Sequence, residues 1–130
     1  EEIGSGAYAR VCRATRTRDG ADCAVKLMRR NTAENHFRTE LDVLRRVAEV
    51  VQPHPHFART LDIFEEPEQF AIVMERCTGG SLFEQIYARD KFDEEETGKV
   101  ALQLFEAVRA LHACGIIHRD IKMENVLLAE

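Results

Sequence analysis

The rhythm of hydrophobic and polar positions changes along this chain, and the changes mark out its elements. In the first part the apolar residues come in short runs. "EEIGSGAYARVCRATRTRDGADCAVKLM" has a Gly-rich turn at Gly4–Gly6 and strand-like stretches over Val11–Thr17 and Cys23–Met28. Asp19-Gly20 reads as a tight hairpin turn between them. The period then lengthens. Phe37, Leu41, Leu44 and Val47 fall at helical spacing and give one apolar face. "QPHPHF" breaks that helix, because prolines so close together cannot continue it. Leu61 and Ile63 alternate as in a half-buried strand, Pro67 marks a turn, and Phe70–Met74 reads as a buried strand.

The texture changes at "CTGG" (Cys77–Gly80), a flexible connector. Ser81 with Glu84 three residues on fits a capping box, so a short helix is expected to about Ala88. A longer helix is expected from Asp93, an N-cap followed by Glu94, Glu95 and Glu96, where the helix dipole favours anions. Val100, Leu104, Val108 and Leu111 share one face of it, and Gly115 should close its C-terminus. Ala101, Leu102 and Phe105 lie on a second side, which sequence beyond Glu130 is expected to cover. The order predicts an α+β chain: a small β-rich lobe with one helix, a Gly-containing link, then a mainly helical part.

Composition narrows the class. The chain has 130 residues, 45% hydrophobic and 32% charged, as in soluble globular domains. A net charge of −5 argues against nucleic acid as the main partner. No apolar run is long enough to span a bilayer. The chain opens on Glu1 without a Met or a signal peptide, so its start reads as cut. Cys12, Cys23, Cys77 and Cys114 form no C-x-x-C and read as free thiols of a reducing compartment, which points to a cytoplasmic location.

Candidate chemistry begins at "IGSGAYARV". Gly4 and Gly6, with Ala9 where a third glycine could stand, would let backbone N–H groups approach a phosphate. The same residues fit a plain hairpin turn. A dinucleotide-binding fold would need a helix directly after the glycines, whereas strand and hairpin signals follow. Gly98-Lys99 lacks the rest of a Walker A loop and sits in a predicted helix. Lys26, inside an apolar strand, either snorkels to solvent or needs a partner, for which Glu40 on the following helix is the candidate. His54 and His56 read as a turn, and "DEEE" (Asp93–Glu96) as helix-start charge, rather than as metal sites. No EF-hand loop is present.

"HRDIKMEN" (His118–Asn125) is the richest stretch. A carboxylate (Asp120), a cation two places on (Lys122) and an amide five places on (Asn125) are the parts phosphoryl transfer uses. Taken in order, "GSGAYARV", "CAVK", Glu40 in "FRTELDVL", "VMERCTGG" and "HRDIKMENVLL" resemble the eukaryotic protein kinases across essentially the whole chain. Lys122, two places after Asp120, resembles the Ser/Thr kinases of the family, and "GGSLFEQI" with "HRDIKMENVLL" makes the chain most similar to the calcium/calmodulin-dependent group.

The resemblance implies an incomplete kinase domain. Residues 1–74 would be its N-lobe, 75–80 the hinge and 81–130 the start of the C-lobe through the catalytic loop. It implies ATP and Mg²⁺ as cofactors. Gly4 and Gly6 would begin the loop over the phosphates, with Tyr8 near its tip, and Lys26 would hold the α- and β-phosphates and pair with Glu40. Ile3, Val11, Ala24 and Leu127 would sandwich the adenine, Met74 would stand at the back of the pocket, and the backbones of Glu75 and Cys77 would bond the adenine edge. Asp120 would be the catalytic base, Lys122 would meet the γ-phosphate and Asn125 would bind Mg²⁺. His118 and Arg119 would shape the loop, and Arg119 implies control by activation-loop phosphorylation.

Substrates would be proteins with Ser/Thr sites, favoured by Glu124 near basic residues, and a calcium sensor could regulate the whole through other sequence. Departures from the family pattern are Ala9, Met123 for a usual Pro, and Ser81 where many relatives carry a Glu that touches the ribose. Because Glu130 precedes the Asp-Phe-Gly segment, these residues alone are expected not to transfer phosphate. The rival readings are a pseudokinase-like scaffold, which need not keep Lys26, Glu40, Asp120 and Asn125 together, and a nucleotide-dependent oxidoreductase, which would bind NAD rather than ATP.

Overall fold

The computed structural model describes residues 1–5, 9–30, 34–89 and 92–129, without the side chains of 34–37 and 40. The chain forms two compact units, Glu1–Gln52 with Ala58–Arg76, and Pro53–Phe57 with Cys77–Glu130.

The first unit is a five-stranded antiparallel sheet with one helix. Its strands are β1 (Glu2–Ser5), β2 (Ala9–Thr15), β3 (Asp22–Arg29), β4 (Thr60–Glu65) and β5 (Gln69–Glu75), in the order β1-β2-β3-β5-β4. Helix α1 runs Glu34–Val50, the segment whose apolar period predicted it. Successive strand side chains point to opposite faces. Met28 therefore shares a face with Ala24 and Lys26, and packs with Phe70 and Ile72 of β5 against Leu41 of α1. Leu44, Ile63 and Met74 close round that cluster. Val47 is buried as the period required, while Phe37 lies outside the described side chains. Arg45 of α1 bonds Glu65 of β4, which also accepts from Arg30, and the Arg30 guanidinium lies 4.4 Å over the Phe70 ring.

The β2–β3 connection differs from the expected two-residue turn. Arg16 N–H donates to the Ala21 carbonyl at 2.8 Å, leaving Thr17–Gly20 as a four-residue loop. Gly20 supplies the left-handed residue at its end (φ 72°), and the Asp19 carboxylate accepts the Ala21 N–H at 3.2 Å and the Arg16 guanidinium. Asp19 thus acts as a side-chain turn acceptor rather than as the first half of a two-residue turn. The strand before it accordingly stops at Thr15 instead of Thr17.

In the second unit, α2 (Leu82–Arg89) and α3 (Glu94–Ala113) start where their caps predicted. Ser81 and Glu84 make the reciprocal capping bonds, as do Asp93 and Glu96. The end of α3 satisfies its last carbonyls through Gly115 (φ 70°). Gly115 N–H donates to His112, and Ile116 N–H to Leu111, both at 3.0 Å. Ala107, Leu111 and Ile116 are buried, whereas Leu102 and Phe105 on the second apolar side are 60% and 69% exposed. Lys99 pairs with Glu95 on the surface of α3, as a solvated residue would.

Candidate active site

In the sheet unit the registers bring several predicted residues into rows. Val11 stands opposite Lys26, and Lys26 opposite Ile72; Ala24 stands opposite Met74. Gly4 lies in β1 opposite Val11, where a Cβ would meet only ordinary contact at 3.9 Å, so space alone does not require glycine there. Ala24 is buried, Lys26 and Met74 are half-buried, and Ile3 is exposed. Lys26 lies two positions from Met28, on the sheet face that packs against α1. Glu40 is in α1, but its side chain lies outside the described residues, as do Gly6 and Tyr8, so the expected Lys26–Glu40 pair is not described. Glu75 ends β5, with its N–H donated to the Arg59 carbonyl at 2.8 Å, and Cys77 follows, half-buried.

In the helical unit the loop after α3 is held at both ends. Its entrance is the Gly115 cap and buried Ile116. Its exit is a short antiparallel ribbon of 78–82 with 126–129. There Thr78 N–H and hydroxyl both donate to the Ala129 carbonyl, Leu128 N–H donates to Gly80 at 2.9 Å, and Ser81 bridges Leu127. Between these anchors Arg119 adopts φ 69°, a left-handed backbone that a side chain makes costly, roughly 1–2 kcal/mol. It turns the chain so that Asp120 N–H reaches His118 Nδ1 at 3.2 Å.

Asp120, Lys122 and Asn125 converge. Asn125 Nδ2 donates to both the carboxylate and the carbonyl of Asp120, each at 2.8 Å, and Lys122 Nζ lies 3.4 Å from the other carboxylate oxygen. A 3-10 turn over Met123–Asn125, with Asn125 N–H on the Lys122 carbonyl at 2.9 Å, makes that return possible. The Asn125 amide, with Lys122 and His118 adding to it, holds the Asp120 carboxyl below the usual aspartate range. The group is therefore an ionised acceptor at neutral pH, facing solvent, with a cation beside it.

With its nitrogen committed to Asp120, Asn125 has its side-chain oxygen left to offer, and that hard donor suits Mg²⁺. Among the described residues no cluster of three or more His, Cys, Asp or Glu could hold a metal by itself.

Two features were not legible in the motif. One is the direct Asn125–Asp120 bond, since spacing alone does not tell which groups touch. The other is the bond of His56 Nε2 to Glu106 of α3, at 2.9 Å. The "PHPH" turn is indeed a turn, with His56 N–H on His54 Nδ1, but its carboxylate partner is 50 residues away.

An antiparallel sheet with one helix, followed by a helical unit whose loop gathers Asp, Lys and Asn, is the architecture of a protein-kinase-like fold. Comparison with known proteins agrees. The protein kinase domain family matches residues 1–130, and the chain belongs to that family. It is 37% identical over 131 residues to the hormonally up-regulated neu tumor-associated kinase homolog of Xenopus tropicalis, covering 99% of this chain and 19% of the relative. It is 35% identical to human calcium/calmodulin-dependent protein kinase type IV, covering 98% of this chain and 26% of that protein. The latter similarity accords with the resemblance of its motifs to Ser/Thr kinases of the calcium/calmodulin-dependent group. The crystal structure of Rad53 1-466 in complex with AMP-PNP matches the whole chain with a TM-score of 0.82 at 30% identity, over 33% of that chain. The chain thus spans about a fifth to a quarter of the length of these curated relatives. Among the described residues no helix is long and apolar enough to cross a membrane.

Proposed function

We propose that these residues, within a complete kinase domain, serve transfer of the γ-phosphoryl of ATP to Ser or Thr hydroxyls of proteins. The observation that carries this reading is the convergence of Asp120, Lys122 and Asn125 on one exposed loop.

Asp120 is the group that accepts the substrate hydroxyl proton. Its depressed pKa suits orientation of the hydroxyl more than early proton removal, because a weak base gains little until the oxygen is already bonding. Lys122 offsets charge on the moving phosphoryl. The Asn125 amide nitrogen aims the Asp120 carboxylate, and its oxygen is the proposed Mg²⁺ ligand. Mg²⁺, when bound, neutralises phosphate charge. In the sheet unit Lys26 would hold the α- and β-phosphates, with Glu40 as its proposed partner. Ala24 and Met74, adjacent across β3 and β5, with Val11 and Ile3, would provide apolar contacts for the base. Glu75 and Cys77 would offer it backbone groups, and Gly4 and Gly6 would begin the phosphate loop. Exposed Glu124 supports a preference for a basic residue near the target site. Regulation by a calcium sensor rests on the group resemblance alone.

The test is turnover of the parent protein with a Ser/Thr peptide. Asp120→Asn is expected to lower kcat by about a hundredfold or more, the usual worth of a positioned base. Lys26→Met is expected to weaken ATP binding, and NAD is expected not to compete. Full turnover by the Asp120→Asn protein would remove Asp120 from this role.

A further inference from the structure

The ribbon that follows Asn125 leads into the first turn of α2, and one carboxylate joins the two. Glu84 Oε2 accepts from the N–H and the hydroxyl of Ser81, at 2.7 and 2.9 Å, and the Glu84 N–H returns to the Ser81 hydroxyl at 3.2 Å. These bonds hold the Glu84 carboxyl below its usual range, the backbone N–H contributing most. Ser81 is 8% exposed, so its hydroxyl is committed to this corner.

The corner's other side faces the ribbon. Leu82, the first residue of α2, donates its N–H to the Val126 carbonyl at 2.7 Å, and Gly80 accepts Leu128 N–H. Gln85 Nε2 bonds the Gly79 carbonyl at 2.8 Å, while Gly79 N–H reaches Leu128 at 3.0 Å. The first N–H groups of a helix usually go to a side-chain cap or to water. Here one goes to Val126, the residue after Asn125.

We propose that Glu84 is a positioning residue for Asn125: by fixing Ser81 it sets the register of the ribbon, and hence the point from which the Asn125 amide reaches Asp120. This deepens the proposed function and rests on it only for the consequence in phosphoryl transfer.

The test is NMR of the ¹⁵N-labelled chain carrying Glu84→Ala or Glu84→Gln. In Glu84→Ala, Leu128 N–H exchange is expected to rise about fivefold, the size of one lost cap. The Asn125 side-chain NH₂ resonances are expected to move with it. Glu84→Gln is expected to restore both, because Gln closes a capping box as Glu does. Faster exchange confined to the first turn of α2, with Leu128 and Asn125 as in wild type, would mean that Glu84 only caps the helix, and would overturn the proposal. Should Glu84→Ala not fold, Ser81→Ala carries the same test with a smaller expected shift, and unmoved Asn125 resonances there overturn it equally. The readout needs no activity. If Asn125 responds while the Asp120→Asn parent keeps full turnover, the proposed function fails and the positioning stands.

Discussion

One Asn125 nitrogen donates to two oxygens of Asp120, its carboxylate and its own carbonyl, each at 2.8 Å. The two hydrogen bonds tie together the ends of the six-residue segment Asp120–Asn125 and fix the carboxylate relative to its own backbone. A phosphotransferase needs such a group in one orientation before substrate arrives, since most of its catalysis is positioning and charge stabilisation.

Asp120 should therefore titrate below the ordinary aspartate value of 3.8. Because its folded pKa is depressed, its contribution to stability is present above that value and lost as the pH falls through the folded pKa. Asn125→Ala should raise the midpoint toward the ordinary value, as read from the Asp120 carboxyl ¹³C shift. An unchanged midpoint would show that the amide bond is not the main cause.

The sheet core should respond to volume in a graded way at Ile72, 1% exposed and packed on Met28, Leu41 and Phe70. Ile72→Val is expected to cost about 1 kcal/mol and Ile72→Ala about 2–5 kcal/mol, because the larger deletion adds a cavity to the lost transfer energy. Urea unfolding followed by circular dichroism measures both, and equal losses would contradict the packing described.

Two glycines should answer Ala in opposite directions. At Gly80 the backbone is left-handed (φ 74°) and a Cβ would lie 2.9 Å from Glu84 Oε2, so Gly80→Ala should destabilise by roughly 1–2 kcal/mol. Gly98 lies within α3 with nothing within 4 Å, so Gly98→Ala should stabilise by about 1 kcal/mol. Opposite shifts in thermal midpoint are expected from the pair.

The start of α3 offers a check on local chemistry. Asp93→Ala should cost about 1 kcal/mol by leaving the Glu96 N–H without its 2.7 Å acceptor, while Asp93→Asn should keep most of it. Thermal unfolding of both variants separates capping from the charge of Asp93.

Local rules made much of this protein readable. Helix starts at Ser81 and Asp93 and the stop at Gly115 depend on groups a few residues apart, so a window of sequence contains the whole interaction. The α1 face and strands β3 to β5 were legible because burial on one side imposes a period. The β2–β3 turn was misjudged at Asp19-Gly20, since loop length depends on where the two strands stop pairing, and that is decided across the sheet.

The sequence by itself determined the elements, their caps and the presence of Asp, Lys and Asn in a family motif. Tertiary structure alone decided which of them touch. Asn125 meets Asp120 because the segment after it pairs with 78–82, residues separated by more than forty positions, and Arg119 bears an unfavourable φ between fixed anchors. Hydrogen bonds between distant segments form only once each segment has folded, so no local pattern announces them.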